Sequence, residues 1–408
     1  MSTLKDLRPA LPILIGASVM LSLAMGLRQS LGLFMPPLTK DIGISVSDFT
    51  LAIAVQNLSW GLLQPLAGAW AVRVGYRPLM LAGSLLYLLG LVLLATAQGL
   101  LGVVLGAGLS IGASMACTGS AMAMAVAARR VSPALCSSVL GIVSAAGSLG
   151  ALLAAPIGQA LSQAHGWRFG LYGFIAMALL MLPAAWVAGR VDALPVPTGG
   201  AANQLNAREA LATAMRNPVF VVMSLAYFVC GMQLVFLTTH LPSYLDICGM
   251  DPMLSAQALG MIGGFNVLGS LFFGWAGGRY NKLMLLGGIY IVRSLVLAWY
   301  FSALPTPAMT LAFAGIMGFL WLGVVPLVSG WVADTFGLRW QAMLGGVAFV
   351  SHQLGSFLGA FGGGMLFDRL GSYNLAWQVG VALGLAAGLV QLVFAHGRVP
   401  KPPATANA

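Results

Sequence analysis

Charge is what this sequence has least of. Only 7% of its 408 residues are Asp, Glu, Lys or Arg, against about 25% in an ordinary soluble domain. So few charged side chains cannot coat a water-exposed surface of this size, which excludes a soluble globular protein. Acids are the scarcer sign: nine against 19 bases. All nine (Asp6, Asp41, Asp48, Asp192, Glu209, Asp246, Asp251, Asp334 and Asp368) fall in loops, tails or helix ends. No carboxylate is left mid-membrane to relay a proton or to meet a multivalent organic cation. Four cysteines are too few for a disulfide scaffold, and Cys117 and Cys230 lie in apolar runs where a thiol packs as a small hydrophobe. There is no H-E-x-x-H, G-x-S-x-G or Walker loop and no His/Cys cluster at metal spacing, so the sequence predicts no enzyme, metal or cofactor chemistry.

What is present is apolar: 59% of the chain is hydrophobic. Crossing about 30 Å of hydrocarbon takes about 20 residues of helix. Twelve runs qualify, roughly 11–36, 49–72, 79–98, 100–128, 134–161, 168–188, 219–243, 255–277, 283–303, 308–333, 340–366 and 375–395. They lack the period-2 alternation of a barrel strand, so they read as helices. The first run is too long for a signal-peptide core and has no small-residue cleavage site after it, so it is expected to remain. With the N-terminus in the cytoplasm, 14 Lys and Arg fall on that side, from Lys5 and Arg8 to Arg398 and Lys401. Only Lys40, Arg168 and Arg369 fall outside, and Arg28 and Arg293 lie within helices. That asymmetry is a positive-inside signal, and it explains the net charge of +10 without nucleic acid. The prediction is an all-α membrane protein of twelve transmembrane helices with both termini cytoplasmic.

Residues 191–217 break the pattern with Pro195, Pro197, Gly199, Gly200 and the charges Arg208, Glu209 and Arg216. This reads as a cytoplasmic linker with a short amphipathic helix in its second part. It divides the chain into six-helix units at 1–190 and 218–408. The units repeat. Gly26-Leu27-Arg28, Pro37 and Asp41-Ile42 recur as Gly231-Met232-Gln233, Pro242 and Asp246-Ile247, each 205 residues on. Gly141 and Gly150 pair with Gly346 and Gly355 at the same offset. Matching topology implies parallel repeats about an axis along the membrane normal.

Twelve helices, a 6+6 repeat and a central linker resemble the major facilitator superfamily. Its loop motif of the type G-x-x-x-D-R-x-G-R is matched by Gly68, Arg73, Gly75 and Arg77, with Val72 at the acidic position. The second copy runs from Gly274 through Gly278 and Arg279 to Lys282 and also lacks its acid. These residues form the candidate gating loop, without the usual carboxylate lock. The stretches Arg28-Gln-Ser-Leu-Gly-Leu-Phe-Met-Pro36-Pro37, Asp334-Thr-Phe-Gly-Leu-Arg339 and Gly362-Gly-Gly-Met-Leu-Phe-Asp368 resemble the monocarboxylate and oxalate–formate carriers. Carriers of that branch often hold a cation on the eighth helix; here that helix offers only Asn266.

Arg28 is therefore the leading candidate. It lies about 26 Å along the first helix at 1.5 Å per residue. An ionised group there must face the bundle interior or a water-filled cavity. A planar guanidinium suits a carboxylate, and the bland alternative is an Arg tied to carbonyls. Gln233, its repeat partner, is expected to face it across the pseudo-two-fold axis. Gln56, Asn57 and Gln64 on helix two, Asn266, His352 and the aromatic Trp60 and Trp321 are further candidates to line the cavity. Each has a packing alternative. His240 and His352 are the proton-coupling candidates, since no acid lies mid-membrane; the alternatives are the substrate itself or a helix-end acid such as Asp246. Arg293 sits on a peripheral helix of this fold and reads as structural or snorkelling.

The expected function is a secondary active transporter. It would move a small organic anion, a mono- or dicarboxylate, across a bacterial inner membrane by alternating access, with a proton as candidate coupling ion and the monomer as unit. The alternatives are an exporter of neutral or amphiphilic compounds, suited by 21 methionines, and a sensor that binds without transporting.

Overall fold

The structure, a computed structural model, describes residues 8–194, 205–250 and 252–396. The middle of the predicted linker (195–204), Lys5, Arg398 and Lys401 lie outside them. Every regular element is helical among the described residues. In chain order the long helices are α1 (Arg8–Phe34), α2 (Val46–Val74), α3 (Tyr76–Ala95), α4 (Leu100–Ala128), α5 (Pro133–His165) and α6 (Trp167–Ala193). After the amphipathic helix Ala207–Arg216 come α7 (Pro218–Ile247), α8 (Pro252–Gly277), α9 (Lys282–Phe301), α10 (Pro307–Phe336), α11 (Gln341–Phe367) and α12 (Asn374–His396).

Eleven described helices are long and apolar enough to span a membrane, where the sequence predicts twelve runs. The exception is α2. At 29 residues it has the length, but Gln56, Asn57, Ser59 and Gln64 dilute its hydropathy. Gln56, Asn57 and Gln64 are buried in protein rather than turned to lipid, which makes an amide tolerable at that depth. Local chemistry marks the helix ends. Ser45 and Asp48 form a reciprocal capping box at the start of α2. Asn281 caps α9 through the N–H groups of Leu283 and Met284.

Two helices carry a π-helical turn, Val104–Ser110 in α4 and Leu358–Gly362 in α11. Each wide turn offers a carbonyl to a neighbouring helix. Gln56 Nε2 donates to the Ala107 oxygen at 2.6 Å, and His240 Nε2 lies 2.9 Å from that of Ala360.

Helices α1–α6 pack among themselves, chiefly α1 on α5 and α2 on α4; α7–α12 do so through α7 on α11, α9 on α12 and α8 on α10. The two sets meet along two seams, α5 against α8 and α2 against α11. The first runs through Ser137 beside Gly277, Gly141 on Gly274, Ser144 with Ser270 and Ser148 with Asn266. The second runs through Gly68 on Met343, Gly346 on Pro65, Gly61 under Gln353, and Asn57 with Gln353. The backbones nearly touch: a Cβ built on Gly141 would stand 2.7 Å from the Gly274 Cα. Both seams start at the end where α2 finishes and α11 begins, and both lead to a buried amide halfway along. Beyond that level Gly263 and Gly264 of α8 and Gly362 of α11 have nothing within 4 Å of a Cβ. One end of the molecule is closed and the other is splayed.

Candidate functional site

The α2/α11 seam ends in a polar cluster. Arg28 of α1 is partly buried and donates through a terminal nitrogen to Asn57 Oδ1. Its Nε is buried without a partner, and no ion pair involves it among the described residues. Its guanidinium carbon lies 5.0 Å above the Trp60 ring, a cation–π contact that orients the charge without neutralising it. Asn57 Nδ2 is used within its own helix, on the Ile53 oxygen at 3.1 Å. Gln353 reaches Asn57 from α11: its Nε2 donates to the Asn57 main-chain oxygen at 3.1 Å and to Oδ1 at 3.3 Å. Gln353 Oε1 is 3.2 Å from His352 Nδ1. A continuous polar path thus runs from Arg28 in one half of the chain to His352 in the other.

An aromatic layer underlies the cluster on the side of the closed end. Phe349 lies parallel to the His352 ring at 5.2 Å and tilts against Trp60 at 4.7 Å, and Tyr227 is 4.7 Å from His352. Trp60 donates to Gln64, whose own Nε2 donates to the Ala116 oxygen of α4, each at 3.0 Å. Past the rings a small cavity of about 30 Å³ is lined by Ser120, Met124, Tyr227, Val328, Gln341 and Phe349.

The structure gathers Arg28, Asn57 and Trp60 with His352, and sends the other candidates elsewhere. Gln233 does not face Arg28. It is buried within the C-terminal half, donating to the Gly380 oxygen at 2.9 Å and Ser294 Oγ at 3.3 Å; a short amide in an apolar bundle takes the nearest partners. Gln56 ties α2 to α4. Asn266 closes the other seam: Nδ2 donates to Ser148 Oγ at 2.9 Å, and Oδ1 accepts from the Leu322 N–H, also at 2.9 Å, at a break in α10. Trp321, beside that break, packs against both apolar cores. Both ring nitrogens of His240 have partners, the Ala360 oxygen and the Tyr373 hydroxyl at 3.3 Å. Arg293 does not snorkel. It is fully buried and points NH1 at Cys230 Sγ, 3.3 Å away, which makes it a structural residue between α9 and α7.

The candidate gating loop is held from within its own half. Gly75 has φ +92°, a conformation that admits glycine readily. It lets Asp192, at the end of α6, accept from the N–H groups of both Tyr76 and Arg77 at 2.8 Å. A carboxylate thus sits at the N-terminus of α3, where the helix dipole favours it. Arg77 lies over Trp186, Arg73 is exposed, and Gly68 carries the seam itself. In the second half the loop charge Lys282 pairs with Asp334 at 2.7 Å.

Sequence reasoning gave no role to three residues that make these contacts: Gln353, Ser148 and Asp192. For the first two a signal existed. Ser148 and Gln353 are 205 residues apart, as are Gly61 and Asn266. The repeat offset that relates the halves therefore also relates the two seam contacts. At the splayed end, outside the spans, Asp41 pairs with Arg168 and accepts from Trp167 Nε1 at 3.2 Å. These donors hold its carboxyl below the ordinary 3.8.

Residues 17–360 match the family model described as Major Facilitator Superfamily. Among curated proteins, the chain is 28% identical to mouse monocarboxylate transporter 11 over 88% of its own length and 81% of that protein's. It is 25% identical to bovine monocarboxylate transporter 13, over 85% and 79% respectively. Among solved structures, the E. coli fucose:proton symporter superimposes with a TM-score of 0.72 at 16% identity, covering 94% of this chain and 98% of that one. That likeness concerns the fold.

Proposed function

The chain belongs to the major facilitator superfamily and is an integral membrane transporter, and from that premise we propose that it carries a small organic anion by secondary active transport. In this reading twelve spans form two six-helix bundles (1–190 and 218–408) joined by the 191–217 linker. Both termini are cytoplasmic in the inner membrane of a bacterium. The basic loops then put the closed end in the cytoplasm and open the site outward. Alternating access requires the two seams to part and the splayed halves to meet.

One observation carries the substrate class: Arg28 is a partly buried guanidinium with no acid beside it among the described residues, at the level where both seams stop. An ionised group held there without a counter-ion favours an arriving anion. The relatives named as monocarboxylate transporters support the same class. His352 is the coupling candidate, since it is half-buried beside the polar cluster, whereas His240 is fully engaged.

The test is uptake by the purified protein in liposomes. Arg28→Ala should lower carboxylate uptake at least about tenfold, the range expected for a lost charge-assisted hydrogen bond. Unchanged uptake of every carboxylate that the parent protein moves would remove the anion reading. Movement of uncharged amphiphiles alone, indifferent to Arg28→Ala, would fit an exporter of neutral compounds instead.

A further inference from the structure

We propose that the Asn57 side-chain oxygen is a built-in stand-in for the substrate's carboxylate oxygen, and that Gln353 is the substrate's second donor. This inference rests on the anion reading above. Asn57 Oδ1 accepts from two donors that belong to opposite halves of the chain: the Arg28 guanidinium on α1, and Gln353 Nε2 on α11 at 3.3 Å. Both donors are therefore aimed at one point, and that point holds a neutral amide oxygen. A carboxylate oxygen there would accept the same two bonds with a full negative charge behind it, which makes charge-assisted bonds about twice as strong. The cluster is already shaped for an anion, and Asn57 holds the position until one arrives.

The surroundings allow the exchange. The side chain of Asn57 is anchored to its own helix through Nδ2 on the Ile53 oxygen at 3.1 Å, a bond that does not involve Oδ1. Gln353 keeps a bond to the Asn57 main-chain oxygen at 3.1 Å, independent of the amide that is displaced. Its stem lies over Gly61, where a Cβ would come within 2.8 Å of the Gln353 Cβ. The Trp60 face beneath Arg28 limits where the guanidinium can swing. A bound carboxylate would bridge α1 and α11, so occupancy and the approach of the two halves become one event.

The sign of one substitution separates this from a simple binding role for Asn57. Butyrate and benzoate serve as probes, with binding read by isothermal titration of the purified full chain and KM by liposome uptake. Asn57→Ala removes the competitor and should tighten binding about fivefold, the worth of one net hydrogen bond. Asn57→Asp places a permanent carboxylate on Arg28 and should weaken binding at least about tenfold while raising the melting temperature. Gln353→Met should raise KM several-fold with the maximal rate retained. Should Asn57→Ala instead weaken binding as Arg28→Ala does, Asn57 is an ordinary ligand and the stand-in is overturned, with the anion reading intact. If Gln353→Met leaves KM unchanged, the second donor is overturned. If neither probe nor any other carboxylate binds the parent protein, the anion reading fails and takes this inference with it. Asn57→Ser is the fallback should the alanine variant fold poorly, and the same gain in affinity is expected of it.

Discussion

The two seams are built alike and do different work. Each brings small residues into backbone contact and leads to an amide that bonds across the chain's two halves: Asn266 on Ser148 in one, Gln353 on Asn57 in the other. The 205-residue offset pairs Ser148 with Gln353 and Asn266 with Gly61, the glycine on which Gln353 packs, so the Asn266–Ser148 contact has its counterpart in Gln353 on Gly61. Yet Asn266 gives its oxygen to the backbone of α10, whereas Gln353 joins a network that contains Arg28 and His352. A duplicated contact has stayed structural in one seam and lies beside the candidate site in the other. Two copies of a packing solution need only one to meet the ligand, and the other can specialise in holding the closed end shut.

The comparison can be broken most forcefully at Gly274. Leucine there drives a side chain into the backbone of α5 around Gly141, and overpacking of this kind costs about 1–3 kcal/mol or more. The closed state should be excluded, uptake should fall on the order of a hundredfold, and maleimide labelling of Cys136, next to Ser137 in the seam, should accelerate. Leucine at Gly263, on the same helix but past the seam and facing open space, should leave both readings near those of the parent. Equal effects at the two glycines would show that the seam has no special role.

A smaller effect sharpens the division between the seams. Asn266→Leu removes the partners of Ser148 Oγ and the Leu322 N–H, and should lower stability by about 1–3 kcal/mol. Its KM for carboxylates should not move, in contrast to Gln353→Met. A raised KM in the Asn266 variant would place it in the site after all.

The smallest effect lies at the splayed end. Asp41 titrates below its ordinary 3.8 in the folded protein because Arg168 and Trp167 hold its charged form. A depressed carboxyl contributes stability above its unfolded value, and the contribution is lost as pH falls through the folded one. Acidification below about 4 should therefore loosen the tie between residues 35–42 and α6, seen as a change in Trp167 fluorescence that Asp41→Asn abolishes. Cys136 labelling should not respond, since the contact lies within one half of the chain and at the other end from the seams.

Much of the fold was legible because lipid imposes a simple rule. A helix that must satisfy its backbone internally and present apolar side chains leaves an unmistakable run, and eleven such runs fold as helices long and apolar enough to span. At α2 the run also folds as a long helix, but its mean hydropathy is low because that average covers the whole helix, whereas a helix carrying buried amides is apolar on some faces only. Arg28 and Asn57 could be named from their chemistry alone. Gln233 could be named but not aimed: the repeat makes it the counterpart of Arg28, and nothing in the repeat says how far α7 is rotated. Asp192 was invisible as a partner for the α3 N-terminus because the two are more than a hundred residues apart in the chain.

By itself, then, the sequence determined the solvent, the helices and the internal duplication, since each follows from composition and spacing along one dimension. Only tertiary structure decided which polar groups meet. Hydrogen bonds reach about 3 Å, and a rotation of one helix by a single residue position carries a side chain to another face. That is why Gln353, to which a reading of the chain gives no role, shares an oxygen with Arg28, and Gln233, its expected partner, does not.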